Sequence, residues 1–368
     1  MIGSDFAVRQ AYKFFFIKPR VVSAPHREKS DLYHHGIRPM AKNIDIIGPY
    51  SCEFFSNSLG MKDRENREVS IKKKKPRILF MGDSFTEGIS IGWDQTFVGI
   101  ISNALEKEGI EVLNGAVVSY CPLLEKIRLK YLLDQIGLEV DQVIMFSDIS
   151  DVLNELQYKE VDGKAVEIPY APFEDKAKEI ARIEEMNSWL EGEIENNFVI
   201  IGAISRNLRL VWRGREKKIG ISDYDQIPKW AWNWPDYQGP YSTYIEKGLN
   251  SAQKNMDEIA EILAKRGIPL TIVVYPWPQQ LPQLTHKSRA EVVWGEWAKK
   301  HNANFISLFP LFANAGNPVE VRKKYYWEND AHWNEEGHRF VANALLKNPT
   351  LFDPTFAKAN EEKKHSKK

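Results

Sequence analysis

The sequence predicts an α/β fold built around a parallel sheet of about five strands. From residue 77 to 147, short apolar runs alternate with amphipathic helical patterns. The same alternation returns between 252 and 347. Short continuous apolar runs are typical of strands buried on both faces, and the alternation is typical of βαβ units.

The individual elements follow from local patterns. Strands are predicted over five short apolar runs: 77–82, 111–114, 142–147, 269–276 and 304–308. Apolar residues at helical spacing predict the helices 96–108, 123–137, 252–267, about 287–300, and 334–347. Gly137 and Gly267 end two of these helices, and Asn334 is the expected N-cap of the last one.

The regions outside this alternation suggest a division of the chain. Residues 1–75 lack a sustained period and are predicted to wrap around the main domain with a short hairpin or two. The main domain is predicted to span 76–356, with an inserted lid region at about 160–240. The charged tail at 357–368 has the composition of a disordered segment.

Composition limits the classes of partner. Lys and Arg total 50, as do Asp and Glu, so no global charge favours nucleic acid. The run Lys72–Lys75 is interpreted as a solvated approach to a strand rather than a localisation or phosphate-binding patch. Cys52 and Cys121 are too few for a disulfide framework and leave open whether they pair.

The sequence predicts a soluble or cytoplasmic chain as given. The longest N-terminal apolar run, 14–17, is shorter than the ~7–15 residues of a signal-peptide core or the ~20 of a membrane span. An anchor in a longer precursor stays open. The apolar then basic stretch 197–215 is compatible with a core-facing lid helix or with peripheral membrane contact.

A serine stands on a glycine-flanked turn directly after the first predicted parallel strand. Residues 82–88 read Gly-Asp-Ser-Phe-Thr-Glu-Gly, which places Ser84 at the strand end where open parallel sheets bind ligands. The N–H groups of a following helix would face an oxyanion formed there. An ordinary turn or capping serine has the same local pattern.

A second segment, Asp330-Ala-His332-Trp-Asn, precedes the last helix and falls on the same sheet edge. A serine hydroxyl needs an adjacent base, and the base needs an orienting group. Asp330 and His332 can supply both, whereas a histidine alone would more often be structural. The candidate nucleophile, base and orienting acid are therefore Ser84, His332 and Asp330.

These two segments resemble the first and last blocks of the SGNH (GDSL-type) hydrolases, with a likeness that covers roughly 77–158 and 250–347. The resemblance implies a flavodoxin-like three-layer α/β/α fold and the cleavage or transfer of acyl groups on oxygen. It also implies that Ser84 attacks, His332 is the base and Asp330 orients it. The Asp-x-His spacing is similar to the subgroup that adds or removes O-acetyl groups on bacterial exopolysaccharides.

Two positions depart from the family pattern. Ser119 stands where the second block usually has a glycine whose N–H helps to form the oxyanion hole, and a serine N–H can still donate. Ser150 stands where the third block usually has an asparagine. The predicted oxyanion hole therefore comprises Ser84, Ser119 and Ser150. Losing one such donor typically costs about 10²–10³ in rate.

Two further groups have competing interpretations. Asp148 and Asp151 could hold a metal, but no third ligand is spaced to complete a site. We therefore predict no metal or cofactor. The two aspartates are expected to cap a helix or to bond to nearby loops. Trp232, in the aromatic cluster 230–237, either stacks on a sugar or packs the insert onto the sheet. Trp277, at a strand end, is the better candidate for lining a substrate pocket.

The sequence thus predicts an esterase that acts on the O-acyl ester of a small molecule or glycan, through a Ser-His-Asp site. An O-acetyltransferase acting on a polysaccharide would use the same residues. A non-catalytic glycan-binding protein that retains the fold is the alternative of a different class, favoured by the missing asparagine and opposed by the intact Ser84, His332 and Asp330.

Overall fold

A computed structural model describes residues 22–47, 50–168, 242–284, 287–328, 330–348 and 351–352. Most of the predicted insert lies outside these residues. So do the stretch 197–215, the aromatic cluster 230–237 with Trp232, and the tail 357–368.

The described strands and helices, numbered in chain order, have the following bounds. The strands are β1 Val22–Ser23, β2 Arg27–Ser30, β3 His34–Ile37, β4 Lys42–Ile47, β5 Tyr50–Ser56, β6 Lys62–Asp63, β7 Arg77–Met81, β8 Glu111–Asn114, β9 Gln142–Ser147, β10 Tyr158–Val161, β11 Lys164–Glu167, β12 Leu270–Val274 and β13 Asn304–Ser307. The α-helices are α1 Ser84–Glu87, α2 Phe97–Glu106, α3 Pro122–Lys130, α4 Asp151–Asn154, α5 Ser242–Ala264, α6 Arg289–Lys300, α7 Phe309–Ala313, α8 Pro318–Tyr325 and α9 Glu335–Leu346.

The five predicted parallel strands are present and pair in the order β8-β7-β9-β12-β13. In order of appearance this is 2-1-3-4-5, the flavodoxin-like order, whose ligand site lies where the strand order reverses. Every residue of β7 and β9 is buried, which explains why these strands are nearly continuous apolar runs. The predicted α/β fold is confirmed.

Helices cover both faces of this sheet. Successive residues of β7 point to opposite faces of the sheet, so Leu79 and Phe80 belong to two separate apolar clusters. The cluster around Phe80 contains side chains from α2, α8 and α9, and the cluster around Leu79 contains side chains from α3, α5 and α6. The side-chain alternation of a strand therefore builds the three-layer α/β/α arrangement.

Residues before β7 extend the same sheet. Strands β1, β4, β5 and β6 pair antiparallel and join the edge of β8, so the whole sheet has nine strands. A separate hairpin, formed by β2 and β3, packs near the end of the parallel strands. The sequence predicted neither the strand pairing nor the register of this segment, and the domain boundaries stay a prediction.

Some element bounds differ from the predictions. Helix α5 begins ten residues before the predicted start at 252, because Ile245 and Leu249 continue its apolar face and are buried in a cluster with Val152. The predicted helix 123–137 changes to a π-helical turn at Tyr131–Gln135. Helices α7 and α8 were not predicted, since each is only five to eight residues long.

Several features away from the sheet edge are also settled. Cys52 and Cys121 are both free. Lys72 and Lys73 form ion pairs with Glu139 and Asp141, as expected of a solvated approach to β7. None of the helices in the described ranges is long and apolar enough to cross a membrane.

Candidate active site

Ser84 stands on a turn that the surrounding packing makes tight. Gly82 has φ 153°, and a Cβ there would lie 2.4 Å from Thr86 Oγ1, so a side chain at this position would clash. Asp83 caps α1 by accepting from the N–H of Phe85 at 3.0 Å. These two residues place Ser84 at the start of α1 with only 8% of its surface exposed.

His332 and Asp330 lie in the loop that leads into α9. Asn334 caps that helix by accepting from Gly337 N–H at 2.9 Å, as the sequence predicted. A bridge between Tyr326 and Trp333 closes the loop, and Trp327 N–H donates to the carbonyl of His332 at 3.0 Å. The loop backbone is therefore held on both sides of His332.

The structure brings Ser84, His332 and Asp330 together. Ser84 Oγ lies 2.7 Å from His332 Nε2, and His332 Nδ1 lies 2.5 Å from Asp330 Oδ1. A carboxylate only accepts, so Nδ1 carries a proton and donates it, which leaves Nε2 of a neutral ring to accept from the Ser84 hydroxyl. This is the geometry of a nucleophile, a base and an orienting acid.

The electrostatics of Asp330 suit an orienting role. Burial raises the pKa of this carboxyl, but hydrogen bonds from the His332 ring and backbone outweigh it, and the net pKa is lowered. Asp330 is therefore ionised at neutral pH. The Phe85 ring packs against the imidazole with a centroid separation of 4.7 Å, which restricts the ring from one side.

The sequence predicted that the backbone N–H groups of Ser84 and Ser119 help to form an oxyanion hole. Ser119 has φ 60°, a left-handed conformation that is usually supplied by glycine and that costs another residue roughly 1–2 kcal/mol. It occupies the third position of a turn that Tyr120 N–H closes on the Val117 carbonyl at 3.1 Å. Within the described ranges, no acceptor is bound to the N–H of Ser84 or of Ser119.

Ser150 has different contacts. Its N–H and its hydroxyl both donate to Asp148 Oδ1, at 2.6 and 2.7 Å. In this arrangement the hydroxyl proton points to a carboxylate rather than toward the nucleophile. The asparagine that the family usually has at this position is therefore not replaced by the Ser150 hydroxyl as it stands.

Asp148 and Asp151 meet a third carboxylate that sequence spacing did not reveal. Asp83, from the serine turn, lies with them so that one oxygen of each is within 4.8 Å of the others. Burial and the nearby Asp148 charge raise the pKa of both Asp83 and Asp151 well above the usual range, which favours their protonated forms. Ser147, Tyr275 and Trp277 donate hydrogen bonds to this group of three.

Of the two predicted substrate-binding tryptophans, only Trp277 is described. It is half-buried, its ring centroid lies 6.5 Å from that of Phe85, and its Nε1–H donates to Asp148 Oδ2 at 2.6 Å. Phe85 thus has Trp277 as one neighbour and His332 as another. Trp277 follows β12 and contacts residues of the serine turn and of the loop after β9, and its role in substrate binding stays a prediction.

Sequence reasoning missed the contribution of the N-terminal segment. Arg27 donates two hydrogen bonds to Glu87 of the serine turn, and His35 contacts the Val118 carbonyl in the turn before Ser119. The local sequence offered one signal, the acidic residue Glu87, which is fully buried in the structure and therefore needs a partner. Its partner lies 60 residues away, and no periodicity connects the two.

The solved structures with similar folds include proteins named as esterases and lipases. An acetyl xylan esterase, AlAXEase, is 13% identical over 73% of this chain and 98% of its own, with a TM-score of 0.39. TesA is 11% identical over 74% and 98%, with a TM-score of 0.40. A GDSL-like lipase from Bacteroides thetaiotaomicron is 12% identical over 79% and 93%, with a TM-score of 0.37.

The parallel strands have the order 2-1-3-4-5, Ser84 follows the first of them and His332 precedes the last helix. The two segments around Ser84 and His332 predicted this arrangement. The described residues thus have a flavodoxin-like α/β/α fold, which is the fold that the resemblance to the SGNH (GDSL-type) hydrolases implies. No protein-family model and no curated protein matches the chain.

Proposed function

We propose that this SGNH-fold protein is a serine esterase that cleaves an O-acyl ester. The observation that carries the proposal is the series of hydrogen bonds from the Ser84 hydroxyl through His332 to Asp330. Three residues from opposite ends of the chain meet with the donor and acceptor directions that nucleophilic catalysis requires. A serine that only caps a helix and a histidine that is only structural would not require this series of hydrogen bonds.

The reaction follows from that geometry. Ser84 Oγ attacks the ester carbonyl carbon while His332 Nε2 takes the hydroxyl proton, and Asp330 stabilises the imidazolium that forms. The N–H groups of Ser84 and Ser119 donate to the oxyanion. The intermediate then expels the alcohol, which receives the proton from Nε2. Water attacks the acyl-enzyme by the same route and releases the carboxylic acid.

Ser150 has a smaller part in this scheme. Its hydroxyl would reach an oxyanion only by turning away from Asp148, to which it donates at 2.7 Å. The two backbone N–H groups are therefore the principal donors. They provide the interaction without a side-chain asparagine.

We further propose a carbohydrate O-acyl ester as the substrate class. The indole of Trp277 is half-buried next to Phe85, and its Nε1–H is bound to Asp148, so the ring is held in a fixed orientation. A fixed aromatic ring near a nucleophile provides a surface on which a sugar ring can stack. Trp232 belongs to this proposal on sequence grounds alone.

Labelling with a fluorophosphonate probe tests the esterase proposal. The wild-type chain should be labelled and Ser84→Ala should not, whereas Ser102→Ala, a serine on α2, should be labelled normally. Absence of labelling in a wild type that still binds an acetylated glycan would indicate a binding protein instead. Acyl transfer from an aryl acetate to an added glycan, in preference to water, would indicate an O-acetyltransferase.

A further inference from the structure

The peptide unit that joins Val118 to Ser119 links the proposed oxyanion hole to the N-terminal hairpin. The Val118 carbonyl and the Ser119 N–H belong to one planar trans unit, so they point in opposite directions. Any group that fixes the carbonyl therefore fixes the direction of the N–H. His35 Nε2 lies 2.8 Å from the Val118 oxygen.

We propose that His35, with Arg27 acting through Glu87, positions the Ser119 N–H for catalysis. This proposal rests on the esterase function proposed above. His35 and Arg27 belong to the hairpin β2–β3, and neither touches the reacting atoms. They are positioning residues that act through the backbone of the turn.

The histidine is held in the tautomer that this role requires. The Val118 carbonyl can only accept, so Nε2 of His35 carries a proton and donates it. Nδ1 of His35 lies 2.8 Å from Nδ1 of His34, which then donates to it. The Tyr120 hydroxyl donates to the His35 carbonyl at 2.7 Å, so the hairpin backbone is bonded to the same turn.

A second set of hydrogen bonds, through Glu87 and Arg27, holds the N–H of Val118. The Val118 N–H donates to Glu87 Oε2 at 2.8 Å. Both Glu87 oxygens receive hydrogen bonds from Arg27, at 2.6 and 2.5 Å. Burial raises the pKa of Glu87, but the charge and hydrogen bonds of Arg27 lower it by more, so the net pKa is lowered. The carboxylate therefore stays ionised and accepts. The N–H and the carbonyl of Val118 are thus both held.

This arrangement accounts for a non-glycine residue at a left-handed position. A rotation of the Val118–Ser119 peptide unit would relieve the φ of 60° at Ser119 and would turn its N–H away. It would also break the bond from His35. A hydrogen bond to the carbonyl additionally polarises the peptide unit and strengthens its N–H as a donor.

Substitution of His35 tests the proposal on an aryl acetate. His35→Leu removes the donor and should lower kcat roughly ten- to hundredfold, somewhat less than the loss of a complete oxyanion donor, with KM changed less than about twofold. His35→Gln places an amide N–H near the position of Nε2 and should restore kcat to within about threefold of wild type. Fluorophosphonate labelling of His35→Leu should be slower but complete.

Two controls separate positioning from general destabilisation. Lys29→Ala changes an exposed residue of the same hairpin and should leave kcat unchanged. Ile37→Val loosens the buried packing of the hairpin and should lower the melting temperature without lowering kcat. Wild-type kcat in His35→Leu, or an equal loss of kcat in Ile37→Val, would overturn the positioning role while Ser84-dependent labelling kept the esterase proposal. A wild type that is neither labelled nor active would overturn both.

Discussion

Ser84 Oγ lies 2.7 Å from His332 Nε2, although 248 positions separate the two residues in the chain. Ser84 lies just after β7, whereas His332 lies in the loop before α9, so the two residues are held by separate elements. The contact therefore depends on how the last helix packs against the sheet.

Removal of the base or of its orienting acid should abolish most turnover. We expect His332→Ala to lose an aryl acetate activity almost completely, and Asp330→Asn to lower kcat about 10²–10⁴-fold, because the amide stabilises the wrong tautomer of the imidazole. Glu328→Gln, an exposed carboxylate two residues away, is the matched control and should keep wild-type kcat. If His332→Ala kept the wild-type rate in a folded protein, the assigned base would be wrong.

Ser119 should act through its backbone rather than its side chain. Ser119→Gly removes the cost of the left-handed conformation and adds a larger entropy loss on folding, so we expect a stability change within about 1 kcal/mol. Its kcat should stay within about twofold, since the N–H is retained. Ser119→Val should lower both stability and kcat, because a β-branched residue resists positive φ. Thermal melts and steady-state kinetics measure both quantities, and a large loss of kcat in Ser119→Gly would assign the role to the hydroxyl.

Ser150 offers a sharper test of the oxyanion hole. Its hydroxyl donates to Asp148, so Ser150→Ala should change kcat by less than about threefold, whereas loss of a true oxyanion donor costs about 10²–10³. Steady-state kinetics on the aryl acetate decide between these values. A loss in the hundredfold range would mean that the hydroxyl turns toward the substrate during the reaction.

His338 should make the fold sensitive to acid. Burial, reinforced by the charges of Lys62 and His332, lowers its pKa to about 3, and its Nδ1 accepts from Phe97 N–H at 3.1 Å. The ring is neutral in the folded protein but takes up a proton near pH 6.5 once unfolded. Its contribution is therefore complete above about pH 6.5 and is lost as the pH falls from there toward 3.

The variant His338→Asn isolates this effect, since an amide oxygen can accept from Phe97 in place of Nδ1. Denaturant unfolding at several pH values measures the free energy of unfolding of both proteins. Below pH 6.5 the wild-type value should fall more steeply with decreasing pH than that of the variant. The difference in slope should reach at most that of one bound proton, roughly 1 kcal/mol per pH unit. Parallel curves for the two proteins would show that His338 does not set this slope.

The sequence by itself determined the elements that local patterns encode. Buried runs such as Arg77–Met81 and Gln142–Ser147 predicted the parallel strands, because strands covered on both faces are nearly continuous apolar runs. Asn334 predicted the start of α9 through its capping side chain. Ser84, His332 and Asp330 were predicted from their places at strand and helix ends, since those ends meet on one edge of a parallel sheet.

Only the tertiary structure decided how that edge is supported. Asp83 joins Asp148 and Asp151, the Ser150 hydroxyl turns to Asp148, and an N-terminal hairpin reaches the Val118–Ser119 peptide unit. These contacts join residues that are distant in sequence and follow no period, and their energies depend on burial and on direction. Local sequence patterns carry neither quantity, so they predicted Ser84 as a candidate nucleophile but not the groups that hold the proposed oxyanion donors in place.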